Sequence, residues 1–137
     1  MSSPSDFNAK IIDEFRANDG RVGGMFEGTP LLLLHHIGAR SGKERVNPLV
    51  YQPDGDRYVI FASKGGAPTN PDWYHNLRAH PDVSIEVGTD TLPATATEAA
   101  GEERERLFRE QAERAPAFAE YQRNTDRVIP VIILTPR

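Results

Sequence analysis

The sequence predicts a mainly β (α+β) domain: an antiparallel barrel of about six strands with an N-terminal helix and flanking helices. Short apolar or alternating segments recur between turn residues, two breaks rich in Gly and Asp fall where tight hairpins need them, and few segments keep a helical period. The 137 residues lie within the usual size of one domain, and no repeat or long Pro/Gly/Ser linker divides them, so residues 1–137 read as a single unit.

Taken in order, Phe7, Ile11 and Phe15 recur every fourth residue, joined by Ile12, and Asn18-Asp19-Gly20 supplies a stop, which places an amphipathic N-terminal helix within residues 1–20. The run Leu31 to Leu34, between Pro30 and the Gly38 turn, is too short for a typical helix and reads as a buried strand. Val46 to Gln52 and Arg57 to Ala62 flank Pro53-Asp54-Gly55-Asp56 and are expected to pair as a hairpin. Asn70-Pro71-Asp72 reads as N-cap, first-turn proline and first-turn acid of a helix through Leu77 that ends before His80-Pro81.

Val83, Ile85 and Val87 alternate with polar residues, and Thr91 to Thr97 can pair with them across Gly88-Thr89-Asp90. Glu102 to Ala115 is rich in helix formers, with acids in its first turn and Leu107, Phe108 and Gln111 on one side. Pro116 interrupts it, and a short helix carrying Phe118 and Tyr121 follows. In the final run, Val128 to Leu134, Pro130 is tolerated only on an edge, at a bulge or near a strand start.

The composition is that of an ordinary globular protein, 38% hydrophobic and 26% charged, and a formal net charge of −4 argues against general nucleic-acid binding. With no cysteine, disulfides and thiolate chemistry are excluded. The longest apolar run is far too short to span a bilayer, and MSSPSDFNAK lacks a basic region followed by an apolar stretch, so a cytoplasmic location is expected. The apolar side of the N-terminal helix has three candidate partners: its own barrel, a second subunit in a homodimer, or transiently a membrane surface. Docking on its own barrel is favoured because few apolar residues need cover.

Three local features offer chemistry. The turn from Gly38 to Arg45 concentrates Arg40, Lys43 and Arg45 among glycines that let backbone N–H groups approach a ligand, the makeup of an anion cradle. The stretch Ala62-Ser63-Lys64-Gly65-Gly66-Ala67 leaves a strand with a hydroxyl, an ammonium and exposed amides together. Trp73 and Tyr74 stand in the first turn of a helix, where anions are favoured and aromatic faces can border a planar ring. Taken singly, each has an ordinary explanation as a solvated loop, a surface turn or a core aromatic.

Taken together they carry a resemblance. The segments Gly38-Ala39-Arg40-Ser41-Gly42-Lys43-Glu44-Arg45-Val46-Asn47-Pro48-Leu49, Ala62-Ser63-Lys64-Gly65-Gly66 and Asn70-Pro71-Asp72-Trp73-Tyr74-His75-Asn76-Leu77 resemble, in order and spacing, the successive signatures of the deazaflavin-dependent nitroreductase family. The similarity extends from the strand near Leu31 through Thr125-Asp126-Arg127-Val128-Ile129-Pro130. It implies a split β-barrel that binds coenzyme F420, whose phosphate and oligoglutamate tail are anionic.

Carried over by position, Arg40, Ser41, Arg45 and Lys64 are implied contacts to the phosphate and tail. Val46, Asn47, Pro48, Trp73 and Tyr74 are implied around the coenzyme, with Gly42, Ala62, Gly65, Asp72 and Asn76. Ser63 is implied close to the deazaflavin and the substrate, and it and Tyr121 are the candidates for orienting the substrate or donating a proton. One departure concerns the C-terminal helix region. The family's nitroimidazole-active members place several tyrosines there, whereas this chain has Ala115, Phe118 and Tyr121, which implies a more apolar substrate pocket with fewer donors.

The expected activity is hydride transfer from reduced F420 to an electron-poor small-molecule acceptor: a quinone, an enone or a nitro compound. A non-catalytic F420 carrier and an FMN-binding relative on the same barrel are the alternatives. No metal site is expected: His35 and His36 are adjacent on a strand and point to opposite faces, while His75 and His80 straddle a helix end. Ser63 lacks the Gly-x-Ser-x-Gly setting of a hydrolase nucleophile.

Overall fold

Leu31 to Leu34 are all buried because the strand they begin, β1 (Leu31–Ile37), is covered on both faces. The computed structural model describes residues 4–24, 28–63 and 69–137, with side chains from residue 8 onward. Leu32 and Leu34 point into the main core with Ile60, Ile85, Ile132 and Leu134, while Leu31 and Leu33 pack under helix α1 (Pro4–Ala17) against Ile11 and Phe15. The last strand, β7 (Val131–Pro136), repeats the arrangement: Ile132 and Leu134 face the core, and Val131 and Ile133 lie under Leu107 and Phe108 of α3 (Gly101–Arg114). An unbroken apolar run in this chain marks a strand between the core and a covering helix.

The remaining strands are β2 (Glu44–Val50), β3 (Gln52–Asp54), β4 (Arg57–Phe61), β5 (Asp82–Val87) and β6 (Asp90–Glu98). They join β1 and β7 in one sheet of order β2-β1-β5-β6-β7-β4-β3 in which every neighbouring pair is antiparallel. The described residues thus contain seven strands, one beyond the approximate six expected. The extra strand arises because the expected strand Val46 to Gln52 breaks at Tyr51. Its first part pairs with β1 (Leu32 opposite Leu49), and only its end pairs with β4 (Gln52 opposite Val59). Tyr51 donates its backbone N–H to Pro30 O at 3.2 Å, and its ring meets Tyr58 edge to face at 5.3 Å. Since β2 and β3 are the two outermost strands, the sheet curls until its edges meet at Tyr51. The result is a split barrel.

Both tight hairpins place glycine first in a two-residue loop. Gly55 (φ 63°) follows Asp54, which pairs with Arg57, and Gly88 (φ 58°) follows Val87, which pairs with Asp90. Asp54 is therefore the last strand residue and not part of the turn. Its carboxylate accepts from Arg57 and from Arg106 of α3, which hold it below the usual carboxylate range.

Helix α2 (Asp72–Ala79) begins one residue later than the Asn70 cap implies. Pro71 is its N-cap, in extended geometry (φ −67°, ψ 156°), without a side-chain cap bond. The Asn70 Oδ1 is instead turned to the Arg127 guanidinium, from which it accepts at 2.7 Å. Trp73, Tyr74 and Leu77 of α2 enter the main core, so this helix plugs the barrel. A short α4 (Ala117–Arg123) follows Pro116 and carries Phe118 and Tyr121 against the α3 cluster.

Helix α1 spends its apolar side on its own barrel, as expected for Ile11, Ile12 and Phe15; the side chain of Phe7 lies outside the described residues. At its end, Arg16 makes a two-pronged contact with Glu86 (3.1 and 2.7 Å), and His35 lies between Glu86 (2.6 Å) and Glu44 (2.9 Å). Chain exit and sheet also touch directly, since a Cβ on Gly20 (φ 94°) would meet Gly88 Cα at 2.6 Å. Among the described residues no helix is long and apolar enough to cross a membrane.

Two outcomes follow from the seating of α1. Phe15→Ala removes a side chain that is 1% exposed and should cost about 3–5 kcal/mol in urea unfolding. The Glu86 pKa is depressed, first by the Arg16 hydrogen bond. Its contribution is therefore present above the ordinary glutamate pKa of about 4.3 and is lost as pH falls through the lower folded value. The stability gap between wild type and Glu86→Gln should accordingly be widest near neutral pH and shrink below about pH 4; a gap independent of pH would contradict this.

Candidate functional site

The basic turn joins β1 to β2 as a closed loop. Gly38 N–H donates to Lys43 O and Gly42 N–H to Gly38 O, both at 2.9 Å, and Lys43 N–H donates to Ser41 Oγ at 3.2 Å. A Cβ on Gly38 would lie 2.4 Å from Ser41 Oγ and would push that hydroxyl off its bond to Lys43 N–H, and Gly42 takes φ 69°. Ala39 N–H is also committed, donating to Asn76 Oδ1 on α2 at 2.8 Å. The glycines thus shape the loop instead of offering a row of free amides. Its attraction for anions comes from the side chains of Arg40, Lys43 and Arg45, all exposed.

Two cavities open beside this loop and share the walls Arg45 and Asp72. One, of about 620 Å³, is polar and bounded by Gly38, Ala39, Arg40, Ser41, His75 and Asn76. The other, of about 650 Å³, is walled mainly by apolar and aromatic side chains: Leu31, Pro48, Leu49, Val50, Phe61, Pro71, Trp73, Phe118 and Tyr121. His36, Asn47 and Ser63 supply its polar points. Arg45 and the first turn of α2 thus stand where a cationic groove meets a ring-sized apolar slot. The positive end of the helix adds to the same field.

Ser63 is placed by Arg127, whose guanidinium donates to Ala62 O (3.0 Å), Ser63 O (2.6 Å) and Asn70 Oδ1 (2.7 Å). It therefore ties the end of β4 to the approach of α2. Burial lowers its pKa, though it stays a cation at any physiological pH. On the far wall, Phe118 packs edge to face on Phe61 (5.6 Å) and on Tyr121 (5.3 Å). Gln122 fixes that helix by donating to Arg127 O (2.7 Å) and accepting from Arg104 and Ile129 N–H, each at 3.0 Å.

Of the residues singled out by sequence, Arg40, Ser41, Arg45, Asn47, Pro48, Ser63, Asp72, Trp73, Asn76, Phe118 and Tyr121 line one or both cavities. Lys64 and Gly65 lie outside the described residues. Five others sit elsewhere. The Val46 side chain packs in the cluster under α1. Ala62 is fully buried in the main core. Tyr74, also in that core, donates its hydroxyl to Glu98 at 2.7 Å. Ala115, the C-cap of α3, lies off the cavity wall, and Gly42 shapes the turn without lining either cavity. Sequence reasoning missed His36, which is 2% exposed and bonded to Asn47 (2.7 Å) and Asn76 (3.0 Å), and the clasp by Arg127. Both act through distant partners and leave no local signal.

The chain has relatives along most of its length. Residues 9–136 match the family model described as F420H(2)-dependent quinone reductase. An F420H(2)-dependent quinone reductase of Mycobacterium tuberculosis is 43% identical over 127 residues, which is 90% of this chain and 85% of that protein. Among solved structures, an F420-H2 dependent reductase (FDR-A) is 46% identical with a TM-score of 0.71, over 77% of this chain and 93% of that one. A second, described as a domain-swapped dimer, is 42% identical with a TM-score of 0.73, over 96% and 99%.

The clasp makes a local prediction. Arg127→Ala leaves the Ala62 and Ser63 carbonyls without their charged donor and should cost about 1–3 kcal/mol. Hydrogen exchange should rise at Ser63 and in the first turn of α2 while β1 and β5 keep their protection; uniform loss across the sheet would refute a local role.

Proposed function

The chain belongs to the F420H(2)-dependent quinone reductase family, and on that premise we propose that it transfers a hydride from reduced F420 to a quinone. The observation that carries the reading is the junction at Arg45 and Asp72 of an aromatic slot with a cationic groove. A deazaflavin has the same two parts, a planar ring and an anionic tail, so the residues present fit the coenzyme. Arg40 and Arg45 would take phosphate and carboxylates, Arg by its bidentate fork. Pro48, Phe61 and Trp73 would border the ring.

Bound there, the reduced coenzyme supplies two electrons as a hydride, and the quinone gains that hydride and a proton to become a hydroquinone. The chain's part is positional. Apolar walls exclude water and hold the two reactants in contact distance, while a donor near the acceptor's oxygen meets the charge that develops. The hydroxyls of Ser63 and Tyr121, both on the wall of the slot, are the groups we assign to that donor role. Phe118 and the displaced Ala115 leave that wall apolar beside Tyr121, which suits a quinone better than a nitro group needing several donors. A homodimer is the assembly we infer, on the precedent of the relative described as a domain-swapped dimer.

The test is anaerobic turnover of reduced F420 with a quinone, an enone and a nitro compound. Oxidation fastest with the quinone is expected; tight binding without turnover would point to a carrier, and displacement of F420 by FMN to a flavin protein. Arg40→Ala and Arg45→Ala should each weaken F420 binding roughly fivefold at low salt, about 1 kcal/mol for an exposed ion pair, and less at high salt. Sedimentation as a monomer at micromolar concentration would remove the dimer.

A further inference from the structure

We infer that His36 is a positioning residue: its neutral, Nε2-protonated form turns the Asn47 amide so that an N–H donor faces the aromatic slot and selects a carbonyl oxygen on what binds there. The inference rests on the functional reading only for the identity of the ligand. The arrangement itself follows from hydrogen-bond roles.

The chain of roles starts at a group that can only donate. Ala39 N–H lies 2.8 Å from one arm of the Asn76 amide, so that arm is the oxygen. The other arm, an NH₂ that can only donate, lies 3.0 Å from His36 Nδ1. Nδ1 must therefore accept and carries no proton, which puts the ring proton on Nε2. Nε2 lies 2.7 Å from the Asn47 amide, and the arm it meets is again the oxygen. The NH₂ of Asn47 is the end of the relay. It has no acceptor among the described residues, and Asn47 lines the slot beside Arg45, Ser63 and Trp73.

No link can reverse alone. Turning Asn76 would set its NH₂ against the Ala39 N–H, and protonating His36 at Nδ1 would set an N–H against the Asn76 NH₂. His36 is 2% exposed, and its pKa is lowered, first by burial and further by Arg45, so the ring stays neutral. An isolated asparagine can offer either end of its amide to a ligand. Here a backbone N–H in the basic turn fixes which end is offered. The same Asn76 ties that turn to α2, so seating of the turn and orientation of the donor are one event.

A donor fixed in this way rewards a carbonyl acceptor, which both a deazaflavin ring and a quinone possess. The experiment separates them. With ¹⁵N-labelled histidine, the ligand-free protein at neutral pH should show His36 as the neutral Nε2–H tautomer; an Nδ1–H tautomer or an imidazolium overturns the relay, whatever the function proves to be. Asn47→Asp keeps the oxygen that accepts from His36 and replaces the donor by an acceptor. It is to be measured at high salt, where the added charge is screened at long range. At least a tenfold rise in the F420 Kd, with the quinone KM unchanged, places the coenzyme's carbonyl at Asn47; a tenfold rise in the quinone KM at saturating F420 places the quinone there. No change in either, in a variant with wild-type Tm, overturns the donor role. His36→Gln retains an N–H for Asn47 and should recover part of what His36→Leu loses in affinity. Equal losses for the two would mean that His36 only fills space. Absence of F420 binding by the wild type would remove the functional reading while leaving the tautomer result intact.

Discussion

One residue, Tyr51, separates the two outermost strands of a seven-stranded sheet, and that connection dictates the architecture. With neighbouring strands about 4.8 Å apart, the edges of a flat sheet of this width would stand about 29 Å from each other. The two peptide units from Val50 to Gln52 span at most about 7 Å. The sheet therefore has no choice but to curl until β2 returns beside β3 and β4. Where it meets, β2 and β4 are not hydrogen-bonded partners, and the aromatic slot lies at this seam, walled by Asn47 to Val50 on one side and by Phe61 and Ser63 on the other. The binding place is where the barrel fails to close completely.

Charge is distributed to match. The chain is acidic as a whole, yet Arg40 and Arg45 line the groove and Lys43 is exposed in the same turn. Many acids elsewhere are engaged in holding elements together: Asp54 draws α3 to the β3–β4 hairpin, and Glu86 draws α1 to the sheet. An anionic ligand thus meets local attraction against a repelling average, which favours approach from one side. Asp72, a carboxylate at the junction of the two cavities, limits that attraction and leaves the slot itself for an uncharged ring.

What could be read from the sequence depended on how far its cause lay along the chain. Strands covered on both faces announce themselves as unbroken apolar runs, and both hairpins were visible from a glycine and its acidic neighbours, because those causes are local. The break at Tyr51 was not visible, since Val46 to Gln52 has a strand's composition throughout and the break is imposed by closure of the sheet. Asn70 has the right chemistry for an N-cap, but Arg127 claims its side chain from the other end of the chain. His36 was correctly separated from His35 by strand alternation. Its importance lies in Asn76 and Asn47, which only the fold brings to it. The motif at the basic turn was legible as a cluster of cations; that the Gly38, Gly42 and Lys43 amides are spent on the loop's own geometry and that of Ala39 on Asn76 was not.

The interior position of β7 in the sheet has a consequence for biosynthesis. Although last in sequence among the strands, it lies between β6 and β4, and β4 and β3 have no other route into the sheet. A nascent chain emerging from the ribosome can pair β1 with β2 and β5 with β6, but it carries the β3–β4 hairpin, with Val59, Ile60 and Phe61 uncovered, without a partner strand until β7 is released. Such an exposed edge is prone to pairing with the wrong chain. The barrel is therefore completed after translation of its own keystone, in one late step, and a chain stopped short of Val131 would lose the junction between its two halves and not merely a terminus.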